Sequence, residues 1–421
     1  MNRRDRRALL TSSTTPPAVV VGLDNITGLQ TARILADRGV PVVGVAANSS
    51  HFGARTNACV EVIESPLSGS GLISTLQALS ARLGRTAVLI PCTDGAVWAL
   101  SERRDELPTY QLSLADHDTV DLLMDKVRFA EHAQGAGLSI PRTEVLRDRT
   151  DAVRAAESLT FPAVVKPPVK APTWLAHTSA KGLPVRDADE LLATYDRVRD
   201  WSPVLLAQEW VEGGEDELYS CNAYFDADGE ALVTFVARKL RQWPPNVGTS
   251  ASGEECRNDD VAKETLRVFG GVGFQGLAYL EMKRDSRTGQ MMIIEPNVGR
   301  PTGRSAISEG GGVELVYTAY CDAAGLPLPA ARTQLYVGAK WLDLRRDLQA
   351  AVVAWRRHEL TPLAWARSIK GPKSHAIWSA KDPRPFAVDL LHAVGAGRRL
   401  VSSRRQADVA AEQDEPAGPR P

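Results

Sequence analysis

The segment Leu277 to Arg304, LAYLEMKRDSRTGQMMIIEPNVGRPTGR, is two apolar runs around a polar turn, which restricts it to an antiparallel hairpin. The first run carries Glu281, the turn is Asp285-Ser286-Arg287-Thr288-Gly289, and the second run ends in Glu295-Pro296-Asn297. Alternation along a strand sends Glu295 and Asn297 to one face. The turn lies midway between Glu281 and Glu295, so the two carboxylates stand opposite or nearly opposite each other. Like charges that close repel unless a cation lies between them. Two carboxylates and an amide oxygen suit Mg²⁺ bridging phosphates. The segment by itself leaves a solvated hairpin end equally open.

A chain of 421 residues is expected to form two or three domains. Its net charge of −1 gives no global pull toward nucleic acid, so any basic surface must be local. No run of about 18 uncharged apolar residues occurs, which excludes a membrane-crossing helix. The basic start MNRRDRRALLTSSTTPP has only Ala8, Leu9 and Leu10 as an apolar patch, too short for a signal peptide. The five cysteines include no C-x-x-C pair, which argues against a zinc site or a disulfide framework and fits a reducing cytoplasm.

Residues 18–115 alternate strand and helix patterns and predict an α/β domain on a parallel sheet. Strands are expected at Ala18–Val21, Pro41–Val45, Cys59–Ile63 and Ala87–Pro91, with helices at Gly28–Arg38 and Leu72–Leu83. The first turn, GLDNITG, lacks the spacing of a dinucleotide-binding fingerprint. Its Asn25 and Thr27, with Thr93-Asp94-Gly95 after the fourth strand, either touch a small substrate or serve only as turn and cap residues. Residues 116–330 have an α+β texture, divided into 116–205, which bears a loop able to close, and 206–330, which bears the acidic hairpin. A leader (1–17), a C-terminal extension (331–400) and a polar, proline-rich, disordered tail (401–421) complete the division.

Several basic residues punctuate this region. Lys126 lies on a helix expected over Thr119–Gln134, and Lys166 ends the apolar strand Ala163–Lys166. A lysine ending a buried strand suits holding a phosphate oxygen as a point charge, against the plainer reading of a strand-end lysine in water. The loop after Pro167-Pro168 carries Lys181 and Gly182. Gln208-Glu209-Trp210-Val211 reads as an edge strand whose backbone at Glu209 and Val211 suits a purine, with Glu215 placed for ribose hydroxyls. In Arg238-Lys239-Leu240-Arg241-Gln242-Trp243, Arg238 and Arg241 fit anion clamps, and Arg300 and Arg304 follow the acidic hairpin in a glycine-rich loop.

Taken in order, Lys126, Lys166, Lys181, the Gln208–Val211 segment with Glu215, Arg238, Glu281 and Glu295-x-Asn297 resemble the ATP-grasp superfamily of carboxylate–amine ligases. The texture is nearest the amino-acid and D-aspartate-ligase-like branch, which shares a tryptophan-bearing loop (Trp174), the Arg238–Pro245 segment and the Gly303-Arg304-Ser305 run. The resemblance implies an α/β N-terminal parallel-sheet domain followed by α+β ATP-grasp domains, two subdomains clasping ATP. It implies that Lys126 and Lys166 meet the ATP phosphates, the backbone at Glu209 and Val211 the adenine, and Glu215 the ribose, Asp216 and Glu217 being alternatives, with Lys181 and Gln208 also among the nucleotide-binding residues. Glu281, Glu295 and Asn297 would hold Mg²⁺, with Mn²⁺ able to take the same ligands. Arg238, Arg241, Arg300 and Arg304 would hold phosphate or an acyl-phosphate. Where the superfamily often has an arginine after the metal asparagine, this chain has Gly299.

The implied reaction joins a small carboxylate, an amino acid or peptide, to an amine, with release of ADP and phosphate. Acylation of a carrier-protein thiol is the rival within the superfamily. An NAD-dependent reductase and a non-catalytic nucleotide-binding protein are the rivals outside it. In the extension, Lys340–His358 is expected to be a helix with Trp341, Leu344, Leu348, Val352 and Trp355 on one face. Basic side chains outnumber acidic ones from Lys340 to Lys373, which suits a membrane surface. Packing on the catalytic body or on a second copy in a homodimer is the preferred reading. No nucleic-acid partner is expected.

Overall fold

The computed structural model describes residues 10, 13–169, 172–245 and 248–394. The tail, and all of the leader before residue 13 except Leu10, lie outside the described residues. Three sheets carry the architecture. Strands β1 (Ala18–Val21), β2 (Val42–Ala46), β3 (Glu61–Glu64), β4 (Ala87–Pro91) and β5 (Tyr110–Gln111) form a parallel sheet in the order β3-β2-β1-β4-β5. Strand direction reverses its winding between β1 and β4, the place where open α/β sheets bind ligands. Helix Ile26–Asp37 starts there because Asn25 Oδ1 accepts from Gly28 N at 2.8 Å. Asn25 Nδ2 also donates to Cys92 O, joining the loops after β1 and β4. Gly28 is required by close approach: a Cβ there would lie 2.1 Å from Gly22 O. It serves chain packing, not a pyrophosphate.

Strands β6 (Thr143–Leu146), β7 (Ala163–Lys166), β8 (Leu183–Val185) and β9 (Leu205–Glu209) make a four-stranded antiparallel sheet in the order β6-β9-β7-β8. It has a core of its own with helices Arg149–Ser158 and Ala188–Val198, including Leu146, Val165, Leu191 and Leu205. Trp174 is fully buried in that core and donates its indole N–H to Ala180 O. The segment after Pro168, expected as a plain loop, therefore contains a short helix, Pro172–His177, anchored by an aromatic ring.

Strands β10 (Leu218–Phe225), β11 (Ala231–Trp243), β12 (Thr249–Glu255), β13 (Gly276–Arg284), β14 (Met291–Val298), β15 (Lys340–Leu342) and β16 (Lys373–His375) form the third sheet, in the order β14-β13-β10-β11-β12-β15-β16. Alternation divides its two faces. Cys221, Ala223, Leu280 and Met282 turn into the main core with Val268 and Phe269 of helix Asp259–Gly270. Ser220, Asn222, Tyr279 and Glu281, paired across β10 and β13, turn the other way.

The expected helix over Lys340–His358 is corrected. Lys340–Leu342 pairs with β12 as a strand, and the helix runs over Leu344–Arg356 from an Asp343 cap. Trp341 is therefore buried in the sheet rather than placed on the helix. The extension packs on the body: Asp382 accepts from Arg33 Nε at 3.0 Å, Thr56 Oγ1 at 2.5 Å and Asn57 N at 3.0 Å. Among the described residues, no helix is long and apolar enough to cross a membrane.

Candidate functional site

The acidic hairpin forms through β13 and β14, and Glu281 pairs directly with Glu295. A bulge makes this so. Arg284, Lys283 and Met282 pair in even steps with Met291, Met292 and Ile293, and the register then shifts between Glu281 and Met282. Without that shift Glu281 would oppose Ile294 and Glu295 would face away. Tyr279 pairs with Asn297 on the same face. No cluster of three His, Cys, Asp or Glu side chains able to hold a metal occurs among the described residues, so any ion here would draw on Asn297 and ligand oxygens as well.

Cations from three elements surround the pair. Lys126 Nζ lies 3.3 Å from Glu295 Oε1. The helix expected over Thr119–Gln134 is two helices, His117–Met124 and Lys126–Gly135, because the Asp125 carboxylate accepts from Val127 N and Arg128 N and starts the second. Lys166 Nζ donates to Gln208 Oε1 at 2.7 Å, and Gln208 Nε2 donates to Thr143 Oγ1 at 2.7 Å. Burial pushes the Lys166 ammonium down to about 8, the Lys126 charge adds to that, and Glu295 opposes it. Lys126, Lys166, Gln208 and Glu295 line a narrow cleft with the apolar Leu206 and Ile293.

The third cation, Lys239, was not singled out in the sequence. Its neighbour Arg238 is the residue whose type suggests an anion clamp, and strict alternation alone separates the two. Lys239 is buried and donates to Gln242 Oε1 at 3.0 Å. Burial pushes its ammonium down to about 8, Glu281 and Glu215 raise it, and Arg304 and Lys181 lower it. Arg238 and Arg241 do not join the cluster. Arg238 pairs with Glu254 at 2.6 Å, and Arg241 grips both oxygens of Asp347 at 2.7 and 3.1 Å. Their guanidiniums are occupied on structural partners.

Arg300 and Arg304 differ in what they have left to offer. Arg300 donates to Asp94 Oδ1 at 2.5 Å, Pro301 O at 3.2 Å and Asn297 Oδ1 at 3.1 Å. Arg304 is buried, donates to the Tyr279 hydroxyl through Nη2, and lies 3.9 Å from Glu281. Its Nη1 is buried with no hydrogen-bond partner, as is the Asn222 amide nitrogen. Gly299 has φ +72, and a Cβ would meet Leu114 Cδ1 at 2.4 Å, so the position cannot carry an arginine.

The expected edge strand at Gln208–Val211 is corrected: β9 lies between β6 and β7. Glu209 N donates to Arg142 O at 2.9 Å, its carboxylate accepts from Thr160 N at 2.7 Å, and Val211 O accepts from Lys283 Nζ at 2.8 Å. Glu215 Oε2 accepts from Gln242 N at 2.9 Å. The Arg300–Asp94 pair sets the loop after β14 against the crevice between β1 and β4. Cys59, Cys92 and Cys256 are free thiols that burial pushes up to about 12, so none is prepared as a nucleophile.

No family profile matches the chain. It is 26% identical over 196 residues to a D-alanine–D-alanine ligase of Stutzerimonas stutzeri, covering 42% of this chain and 55% of that one. It is 24% identical over 257 residues to the carbamoyl phosphate synthase large chain of Neisseria meningitidis, covering 58% of this chain and 22% of that one. The chain thus spans about half the length of the D-alanine–D-alanine ligases it matches. Among solved structures, N5-carboxyaminoimidazole synthetase from Staphylococcus aureus superposes with a TM-score of 0.63 at 15% identity, over 82% of this chain and 86% of that one. The same enzyme complexed with ADP gives 0.60 at 15% identity, over 76% and 80%. Biotin carboxylase from Campylobacter jejuni gives 0.61 at 13% identity, over 77% and 74%. The fold is the one these enzymes share, and it is the fold that the ATP-grasp resemblance implies.

Proposed function

We propose that the chain is an ATP-dependent ligase that activates a small carboxylate, an amino acid or peptide, as an acyl-phosphate and transfers it to an amine. The observation that carries this reading is the convergence of Lys126, Lys166, Lys239 and Arg304 on the Glu281–Glu295 pair, with a buried Arg304 Nη1 left unpartnered. A buried donor without a partner costs on the order of 1–3 kcal/mol, which an anionic ligand would offset. Similarity to D-alanine–D-alanine ligases supports the amide-forming class.

In this reading the substrate carboxylate oxygen bonds to the γ-phosphorus as the bond to ADP breaks. The amine then attacks the acyl carbon, phosphate leaves, and the amine loses a proton. Glu281, Glu295 and Asn297 fit an oxygen-ligated divalent cation such as Mg²⁺, which supplies neutralisation of phosphate charge. Lys126 and Lys166 bind phosphate oxygens as point charges. Arg304 takes the transferring phosphoryl or acyl-phosphate group, while Arg300 orients the Asn297 amide. The Glu209 carbonyl and Val211 amide face the purine, and Glu215, held by Gln242 N, accepts from the ribose. The crevice between β1 and β4, beside Asp94 and Arg300, takes the substrates. The chemistry needs placement and charge, not a covalent group on the protein.

The test is phosphate release from Mg·ATP across pairs of amino acids. Release that depends on both members of a pair supports the reading. Silence with every pair, and signal only with a carrier protein or a sugar acid, overturns the substrate class.

Lys166 adds a pH signature. Its ammonium titrates near 8, below the ordinary 10.5, so its charge is lost as pH rises through about 8. Nucleotide affinity is expected to fall above that pH, by roughly tenfold per unit at the steepest. The limb belongs in kcat/KM, which reports the free enzyme. Lys166→Met should remove it, and an unchanged limb would assign it elsewhere. For stability the sign is opposite. The unfolded chain binds the proton more tightly between pH 8 and 10.5, so the cost of burying the ammonium is full below 8 and relieved above it.

A further inference from the structure

Strand β11 carries Lys239 toward the cation–carboxylate cluster and Arg241 away from it, although alternation alone would put both on one face. The register explains this. Lys239 pairs with Gly253, Arg241 with Ser252 and Gln242 with Ser250, so the strand is irregular on both sides of Arg241. Bulges of this kind re-aim side chains. What holds the irregularity lies in the C-terminal extension. Asp347, on helix Leu344–Arg356, is fully buried and accepts from Arg241 Nε at 2.7 Å and Nη2 at 3.1 Å. It also accepts from Ser252 Oγ at 2.5 Å and Trp365 Nε1 at 2.8 Å. One carboxylate thus grips both strands across the bulge, at the two residues that face each other there. Arg241 is further held by Ser368 Oγ at 2.9 Å. The next residue, Gln242, receives the Lys239 ammonium on its side chain and gives its backbone N–H to Glu215.

We infer that Asp347 is a positioning residue: through Arg241 and Ser252 it fixes the β11 bulge, which sets where Gln242 presents its side-chain oxygen, and thereby holds the Lys239 ammonium in place on the sheet face that carries Glu281. The extension is in this way part of the catalytic apparatus without touching substrate. The kinetic arm of the test rests on the proposed ligase reading, and the labelling arm does not.

The experiment compares wild-type, Asp347→Asn, Lys239→Met and the double variant as full chains. In the first arm, lysines are acylated under limiting reagent and read by peptide mass spectrometry. Asp347→Asn should raise Lys239 labelling several-fold and leave Lys166 and Lys283 unchanged. A rise at every lysine, or no rise at Lys239, overturns the inference whether or not the protein turns over ATP. In the second arm, Asp347→Asn should lower kcat about tenfold, and the double variant should fall no further than Lys239→Met alone. Multiplying losses would mean that Asp347 acts on general stability. Asp389→Asn breaks a different tether of the same helix, the Arg345–Asp389 pair at 2.8 Å, and should move neither readout. Equal effects from Asp389→Asn would also overturn the inference. If Asp347→Asn fails to fold, Trp365→Phe removes one donor and should shift Lys239 labelling in the same direction by about twofold.

Discussion

Replacing Glu281 with alanine is expected to lower kcat for Mg·ATP-dependent phosphate release by roughly 10²–10³-fold or more, the scale seen when one preorganised charge-stabilising group is removed. Glu281 stands directly across from Glu295, with the Tyr279 hydroxyl 3.4 Å and Arg304 Nη2 3.9 Å from its Oε2. Its contacts inside the fold are long, so its loss should change stability by less than about 1 kcal/mol. Removing one of two facing carboxylates also relieves repulsion. The measurement is steady-state phosphate release together with urea unfolding of the same preparation. Near-normal turnover in a folded Glu281→Ala would take the hairpin out of the active site. A large drop in unfolding midpoint would mark Glu281 as a structural acid.

Arg304→Met is expected to combine a loss in kcat/KM of roughly 10²–10³-fold with an unchanged or raised thermal midpoint. The physical reason is the imbalance around the guanidinium. It is almost fully buried, yet Nη1 has no partner and the nearest carboxylate is 3.9 Å away. Such a group carries a desolvation cost on the order of 1–3 kcal/mol that an apolar side chain of similar length avoids. Arg304→Lys should not rescue activity, because an ammonium lacks the planar fork that meets two oxygens at once. Arg241→Met should behave in the opposite sense for stability, since it would leave the buried Asp347 without its main partner. A sharp fall in midpoint for Arg304→Met with turnover retained would show that the site has been misplaced.

The order of the candidate site residues was legible in the sequence because each sits at a local landmark. Lys166 ends a strand, Glu281 and Glu295 flank a turn, and Asn297 follows Glu295 by one alternation. The parallel sheet was legible because β1, β2 and β4 are continuous apolar runs separated by helical patterns. What misled was the basic run after Ala237. Composition shows four charged or amide residues there, and only the strand and its bulge decide which one faces the cluster. The assignment of Arg238 and Arg241 as clamps followed from their type, and both are held elsewhere by Glu254 and Asp347. Those partners lie distant in sequence, and Asp347 belongs to the extension, where no local pattern links it to β11.

The sequence by itself determined the fold class, the hairpin and the list of charged groups, since these follow from alternation, turn chemistry and residue type within short windows. Only the tertiary structure decided which charges meet. One extra residue at the bulge beside Glu281 turned Glu295 toward it, and another irregularity, just past Lys239, turned Arg241 away from the face that Lys239 keeps. Side-chain direction in a strand has a period of two, so a single-residue shift reverses the face of everything beyond it. Such shifts are set by long-range packing and ion pairs, which a one-dimensional reading does not contain.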